Sequence, residues 1–422
     1  MPRIVLTCHA NPKPAILGGT PLVTPAMQPA WPQHGAPERQ AILGVLKSGR
    51  WWRGGTREEM RKSVTGRFER DFARWHTARH GLAVTNGTTA LELALRAVGV
   101  EPGAEVIVPA LSFIVTASVV PFVGARAVFV DSDSQTYQPD PDAIEAAITR
   151  RTQAVCIVHY GGYPADMDRI GRIARKHKLP LIEDCAHAHG SMWRGHGVGS
   201  IGACGTFSFQ MSKALTAGEG GMVLTNNDQL AERCYSLHHL GRLESKGFYD
   251  FHLLATNLRM TEWQGAILAA QLRRTKSQTL LKMHNAAHLA KGLAEIGGLT
   301  ALKPDPRITR RGYYYFLMRY EAERFAGLPK GKFVEALRAE GLPVGQAYGQ
   351  TLYRNPLFQN MLDERGRKLY AGVRCEQAER ICNETQVALS HTALLSRPLV
   401  DALLQAVARI GAHAEAIARQ AK

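Results

Sequence analysis

The chain has 422 residues, enough for one large domain or two, and its 45% hydrophobic and 21% charged content is that of an ordinary globular protein. That balance excludes a fibrous or low-complexity chain. Lys and Arg outnumber Asp and Glu by 52 to 36, a net charge of +16, which suggests anionic partners. The basic residues are scattered rather than massed in one tract, which disfavours nucleic acid; a membrane surface, phosphate-bearing small molecules and a plain solvated surface all fit the charge.

Residues 1–35 are rich in Pro and Gly and read as an N-terminal arm, laid over the surface or partly disordered. No continuous apolar run precedes the first prolines, so a signal peptide is not expected. Beyond the arm, short apolar runs alternate with helical patterns. Residues 104–111, 125–132, 154–162 and 179–186 are strand-like, and 141–148 and 167–178 between them carry apolar residues at helical spacing. Residues 205–210 and 220–227 add two more strands around a Gly-rich turn. Strands alternating with helices predict a largely parallel α/β sheet covered on both faces. From 265 to 295 the pattern is one long helix; 311–320 reads as a strand, 331–343 as a helix ended by Gly341, and 396–420 as a final amphipathic helix. We therefore expect a large domain over 36–280 and a smaller C-terminal α/β domain over 281–422.

No stretch approaches the roughly 18 apolar residues of a membrane span. Seven cysteines (Cys8, Cys156, Cys185, Cys204, Cys234, Cys375, Cys382) lie far apart without a CxxC pair, which reads as reduced core thiols in a cytoplasmic protein.

Three segments carry the chemistry. In VTNGTTALELALRA (84–97) a strand end meets Asn86-Gly87-Thr88-Thr89 and a helix begins. Gly87 lets a ligand approach the backbone, and Thr88 and Thr89 offer hydroxyls and free amides at a helix N-terminus, the makings of a phosphate site. An ordinary helix cap fits the same residues equally well. In LIEDCAHAHGS (181–191), Asp184 falls at the C-terminal end of an apolar strand, where open parallel sheets bind ligands. It could pair with a protonated ring nitrogen or simply cap the next segment. Cys185, His187 and His189 lack a further ligand cluster at metal-binding spacing, so no metal is expected. In TFSFQMSKALTAGEGGMVLTNN (206–227), Lys213 follows an apolar strand and precedes small residues and glycines. A nucleophilic amine needs such partial desolvation and neighbours small enough to admit a flat ring. Ser208 could donate to a phosphate. Gly197-Val-Gly199-Ser-Ile-Gly202 matches GxGxxG, but no strand precedes it and no helix plainly follows, so dinucleotide binding is set aside.

Five ordered motifs, NGTTALELAL, VIVPALSFIVTAS, EDCAHAHGS, SFQMSKALTAGEGG and TNLRMTEWQGAI, resemble those of the DegT/DnrJ/StrS-type aminotransferases, and the resemblance covers about residues 30–420. The resemblance implies the aspartate-aminotransferase fold (fold type I), pyridoxal 5'-phosphate as cofactor, and an enzyme. It implies that Lys213 carries the cofactor covalently, that Asp184 keeps its ring nitrogen protonated, that Phe113 stacks on the ring, and that His187 packs near the ring and its 3-oxygen. Gly87, Thr88 and Ser208 match the phosphate cradle, and Thr89 joins them as a cofactor-binding candidate from its place at the helix start. Asn257 matches a residue that reaches the phosphate from a neighbouring subunit, so a homodimer with shared sites is implied.

Within the family, AWPQHG (30–35) and SGRWWRGG (48–55) resemble the 3-amino-5-hydroxybenzoate synthases. AILGGTPLVTP (15–25), RRGYYYFLMRY (310–320) and RNPLF (354–358) resemble the scyllo-inosose and 2-deoxy-scyllo-inosose aminotransferases. The segment 345–358 lacks the His-Pro element of many sugar-nucleotide relatives, which argues against a nucleotide-sugar acceptor. Trp52, Arg53 and Tyr348 are candidate acceptor contacts, each equally readable as a packed aromatic or solvated Arg. The expected activity is transfer of an amino group from glutamine or glutamate to a keto-cyclitol or keto-sugar in specialised metabolism. The alternatives are an aromatising synthase on the same scaffold and a non-catalytic cofactor-binding regulator.

Overall fold

A computed structural model describes residues 12–243, 246–247 and 249–420, so Cys8 and the first part of the expected arm lie outside the described residues. Seven strands form the central sheet: β1 (His80–Val84), β2 (Glu105–Pro109), β3 (Arg126–Val130), β4 (Thr152–Val158), β5 (Leu181–Asp184), β6 (Cys204–Ser208) and β7 (Gly221–Thr225). Their order is β1-β7-β6-β5-β4-β2-β3, and only β7 runs against the others. The apolar runs become strands because both faces are covered. Along β2, Val106 and Val108 join one core while Ile107 joins the opposite one; along β4, Ala154, Cys156 and Val158 face one way and Val155 and Ile157 the other. This is the two-residue alternation of a strand buried on both faces. The six described cysteines are buried free thiols.

Helix α1 (Gly87–Ala97) follows β1 and packs its Leu91, Leu93 and Leu95 into the first core. The long helix α2 (Glu262–Ile296) runs out of the large core, where Leu268 and Leu272 pack, into a second one, where Ala286, Leu289 and Leu293 pack. There a four-stranded antiparallel sheet forms from β8 (Leu299–Ala301), β9 (Tyr315–Tyr320), β10 (Val344–Gly345) and β11 (Gln386–Ser390), in the order β8-β9-β11-β10. Helices Lys330–Ala339 and Arg397–Ala412 cover it. No helix among the described residues is long and apolar enough to cross a membrane.

Several boundaries move from their expected places. The strand expected over 311–320 begins only at Tyr315, because Tyr313 sits in the left-handed region at φ 44° and breaks the extended path. The final helix divides at His413 into Arg397–Ala412 and Ala414–Gln420. The partition at residue 281 also shifts. Leu352, Tyr353, Phe358, Tyr370, Cys375 and Ile381 pack into the core beneath the seven-stranded sheet, and the Leu352 amide donates to Ala110 O at 2.8 Å. A segment late in sequence is thus returned to the large core by its aromatic residues.

The arm also differs from a loosely laid segment. Val23 is buried in the small core, and its amide donates to Glu340 O at 3.0 Å. Glu340 is fully buried and accepts from the amides of Ala15 at 2.9 Å and Leu22 at 3.2 Å. Arg409 completes the clamp, with Nη1 3.1 Å from Glu340 and 3.0 Å from Thr20 O, and Nε 2.7 Å from Pro12 O. Removing one partner of a buried ion pair leaves the other charge desolvated and unpaired. Arg409→Met should therefore cost about 3–5 kcal/mol of unfolding free energy and open residues 12–28 to protease. A urea midpoint equal to that of the parent would contradict this role for the clamp.

Candidate active site

A cavity of about 590 Å³ opens at the C-terminal ends of the parallel strands, lined from the large unit by segments following β1, β2, β5 and β6 and from the small unit by Tyr314, Tyr315 and Tyr348. The chain reverses its direction of travel across the sheet between β2 and β4, so loops on either side diverge there and leave a crevice.

Asp184 ends β5 on the cavity floor and is 4% exposed. Its Oδ2 accepts from the Thr116 hydroxyl at 2.7 Å, and its Oδ1 accepts from the Ala186 amide at 3.0 Å. Because Thr116 gives its proton to Asp184, Ser112 must donate to Thr116 across their 2.7 Å contact. Burial raises the Asp184 pKa, while Thr116, the Ala186 amide and the charge of Lys213 oppose the rise. Two donors leave part of the carboxylate's acceptor capacity turned to the cavity.

Lys213 lies in the turn after β6, where its amide donates to Gln210 O at 2.8 Å, and is 8% exposed. Burial lowers its pKa, against the attraction of the Tyr314 side chain and Asp184. Its Nζ sits 4.4 Å from the centre of the Tyr314 ring and makes no ion pair among the described residues. The amine is thereby shifted toward its unprotonated, nucleophilic form.

His187 is buried 4.2 Å from Tyr314 in a stacked arrangement. The Gly161 amide reaches its Nδ1 at 3.4 Å, so Nε2 carries the proton and donates to Tyr348 Oη at 3.2 Å. The Tyr348 hydroxyl proton is then left for the cavity. Burial and the charge of Lys213 hold His187 well below the usual imidazole pKa, which keeps it neutral.

At the other end of the cavity, Asn86 caps α1: its Oδ1 accepts from the Thr89 amide at 2.9 Å, and the Thr89 hydroxyl answers the Asn86 amide at 3.2 Å. The Thr89 hydroxyl also lies 2.9 Å from the Asn86 carbonyl and from the Thr85 hydroxyl, so it serves the cap and does not line the cavity, unlike Thr88. Gly87 is pressed on Ser208, where an added Cβ would fall 2.6 Å from the serine Cβ. Gly87, Thr88 and Ser208 thus line the cavity together at a helix N-terminus, whose first amides have no partner within the helix. Phe113 presents a ring 50% exposed at the cavity wall.

The remaining candidates lie elsewhere in this chain. Arg53 is 3% exposed and engaged by Glu69 and by His238 at 3.1 Å, so it is a core ion pair rather than an acceptor contact. Trp52 is outside the cavity lining, beside the Arg259 guanidinium at 5.7 Å. Asn257 is also outside it; its side chain accepts from the Arg259 amide at 3.2 Å. The residues not foreseen are Ser112, Thr116, Ser212, Tyr314 and Tyr315. Thr116 lay within a recognised motif, and three consecutive tyrosines opening a supposed strand were a signal.

The GxGxxG turn has a structural duty. The amides of Gly199, Ile201 and Gly202 donate to the Glu183 carboxylate at 2.8, 2.9 and 2.6 Å, and His159 Nε2 lies 2.9 Å from it. The glycines wrap a buried side chain of their own protein instead of a ligand phosphate. The same bonds fill the carboxylate that, with His159 and Cys185, brings three possible metal-ligand atoms within 4.8 Å of one another.

Residues 32–408 match the DegT/DnrJ/EryC1/StrS aminotransferase family. The chain belongs to that family. It is 42% identical to the L-glutamine:2-deoxy-scyllo-inosose aminotransferase of Streptoalloteichus tenebrarius over 82% of each chain. It is 37% identical to the 3-amino-5-hydroxybenzoate synthase of Amycolatopsis mediterranei, covering 92% of this chain and 98% of that one. A crystal structure of a 3-amino-5-hydroxybenzoic acid synthase superposes with a TM-score of 0.80 at 37% identity, covering 91% of this chain and 98% of that one. As a family member the protein is a transaminase.

Buried neutral imidazoles around this aminotransferase site make it acid-sensitive. Burial pushes His76 and His391 down to about 3. His76 takes the Gly190 amide on Nε2 at 3.0 Å and gives Nδ1–H to Val198 O at 2.8 Å, so protonation would break the first bond. With folded values below the unfolded one near 6.5, these groups contribute stability at neutral pH that is lost as pH falls below 6.5. Each should cost about 2 kcal/mol between pH 7 and 5. The melting temperature should fall across that interval, and a flat or rising profile would contradict the neutral-ring assignment.

Proposed function

We propose that this family member is a pyridoxal-phosphate enzyme of fold type I that moves an amino group from glutamine or glutamate to a keto-cyclitol. The single observation carrying this reading is the pairing, in one cavity, of a buried amine at Lys213 with a buried carboxylate at Asp184 that keeps unused acceptor capacity.

The donor set fits the cofactor. The Gly87 and Thr88 amides at the N-terminus of α1, with the Thr88 and Ser208 hydroxyls, suit a phosphate, and Ser208 stands so close to α1 that a Cβ at Gly87 would collide with it. Asp184 suits a protonated ring nitrogen, Phe113 a ring face, and Lys213 a covalent bond to an aldehyde carbon. Once bound, the cofactor supplies an electron sink for a substrate carbon losing a proton. Asp184 holds the ring-nitrogen proton in place. Lys213 Nζ, favoured as free amine by burial, is the base within the cavity that can take a proton from the substrate carbon and return it. His187 keeps Tyr348 oriented with its hydroxyl proton toward the substrate space.

The lining supports a neutral polyol acceptor. Among the described residues Lys213 is the only Lys or Arg in it, and hydroxyls from Ser112, Ser212, Tyr314, Tyr315 and Tyr348 join the lining. A nucleotide-sugar diphosphate would call for further cations. The relatives' names, scyllo-inosose aminotransferases with glutamine as donor, agree with this choice. A homodimer in which Asn257 approaches the partner's phosphate cradle fits its place outside its own cavity. The similarity to 3-amino-5-hydroxybenzoate synthase supports a second reading, an aromatising loss of water on the same scaffold.

Two experiments test this. Purified protein mixed with pyridoxal phosphate should gain visible absorbance, and borohydride should fix the cofactor to Lys213; Lys213→Ala should lose both and nearly all turnover. Asp184→Asn should retain binding but lose several orders of magnitude in turnover. Protein that stays colourless, with no label on Lys213, would defeat the assignment. With glutamine and a panel of ketones, cyclitol ketones should return the amine-form cofactor to the aldehyde form. Water loss from a cyclohexenone without an amino donor would favour the second reading instead.

A further inference from the structure

Lys282 sits inside α2 and is 2% exposed, and burial lowers its pKa to about 7, so its buried nitrogen needs hydrogen-bond acceptors. No carboxylate pairs with it among the described residues. Its Nζ donates to the carbonyls of Gly312 at 2.7 Å and Tyr313 at 3.2 Å. These are the two residues immediately before Tyr314. The turn they make is strained, because Tyr313 holds φ 44° without being glycine. It is also tightly packed: a Cβ at Gly312 would fall 2.1 Å from His189 O, and one at Gly162 would fall 2.9 Å from the Tyr313 nitrogen. The Gly312 amide donates to Ser191 Oγ at 2.8 Å.

Tyr314 is pinned on every side by this arrangement. Its amide donates to Gly161 O at 3.2 Å, and its carbonyl accepts from the His391 amide at 3.1 Å. Its hydroxyl lies 2.9 Å from Ser212 Oγ, next to Lys213 in the chain. One face of the ring stacks on His187 at 4.2 Å, and the Lys213 Nζ stands 4.4 Å from the ring centre. A cation over an aromatic face is attracted to it, more strongly where water is excluded.

We propose that Tyr314, braced from behind by Lys282, is the positioning residue that fixes where the Lys213 amine stands in the cavity. This rests on the reading of Lys213 as the group that bonds the cofactor, but the geometry concerns the amine alone. Ring and brace belong to the smaller unit and to α2, whereas Lys213 belongs to the large one. Docking of the two units therefore completes the amine's environment.

The test uses the cofactor-free protein. Acylation of Lys213 by acetic anhydride is followed at pH 7 by peptide mass spectrometry, with Lys276 as internal reference. Reconstitution with pyridoxal phosphate is followed by absorbance. Without the ring the ammonium loses a stabilising partner and the amine loses its fixed place. Tyr314→Leu should therefore acylate faster at Lys213, by roughly two- to thirtyfold, yet reconstitute more slowly. Tyr314→Phe keeps the ring and should stay near the parent in both. Lys282→Met should shift both readouts in the same directions as Tyr314→Leu, and it carries the test should that variant fail to fold. Parent-like values in Tyr314→Leu, or in Lys282→Met, would overturn the proposal. If acylation behaves as expected while borohydride fixes no cofactor on the parent protein, the positioning role stands and the cofactor assignment falls.

Discussion

Asp184 must stay buried beside an amine without being neutralised by its own surroundings, and much of the large unit serves that constraint. A carboxylate removed from water needs donors, and one saturated with donors has nothing left for a ligand. Here the count stops at two, Thr116 and the Ala186 amide. Thr116 comes from the helix Val115–Phe122 after β2, so that helix exists as much to supply one hydroxyl as to cover the sheet. The strand order, which reverses its direction of travel between β2 and β4, then leaves the carboxylate facing open space.

The neighbouring residue shows the opposite solution. Glu183, one position earlier on β5, is also buried, and it receives three backbone amides and an imidazole. Consecutive residues on a strand face opposite ways. One carboxylate therefore closes a structural knot around the glycine-rich turn 197–202, and the other opens on the cavity. The two buried acids differ in the number of partners provided, four around Glu183 and two around Asp184.

The cavity is finished by the smaller unit. Tyr314, Tyr315 and Tyr348 bring aromatic faces and hydroxyls against His187 and Lys213, which the large unit supplies. The long helix α2 joins both cores, and its buried Lys282 holds the turn that aims Tyr314. The same small unit clamps residues 12–28 through Glu340 and Arg409.

How much of this could be read from the chain follows from which forces are local. The alternation of apolar runs with helical patterns announced the parallel sheet, since burial on both faces leaves a continuous apolar signature. Lys213, Asp184, Ser208 and the Gly87-Thr88 cradle stood out because each sits at a strand end or helix start marked by its immediate neighbours. Thr89 and Arg53 were misplaced because a cap hydroxyl and a buried guanidinium look the same in sequence as a ligand contact. Only three-dimensional packing sent Arg53 to Glu69, residues 352–381 to the large core, and Gly199, Ile201 and Gly202 to Glu183. It also placed Tyr314 over Lys213, a hundred residues away, because contacts at that separation depend on how two units dock and leave no trace in local spacing.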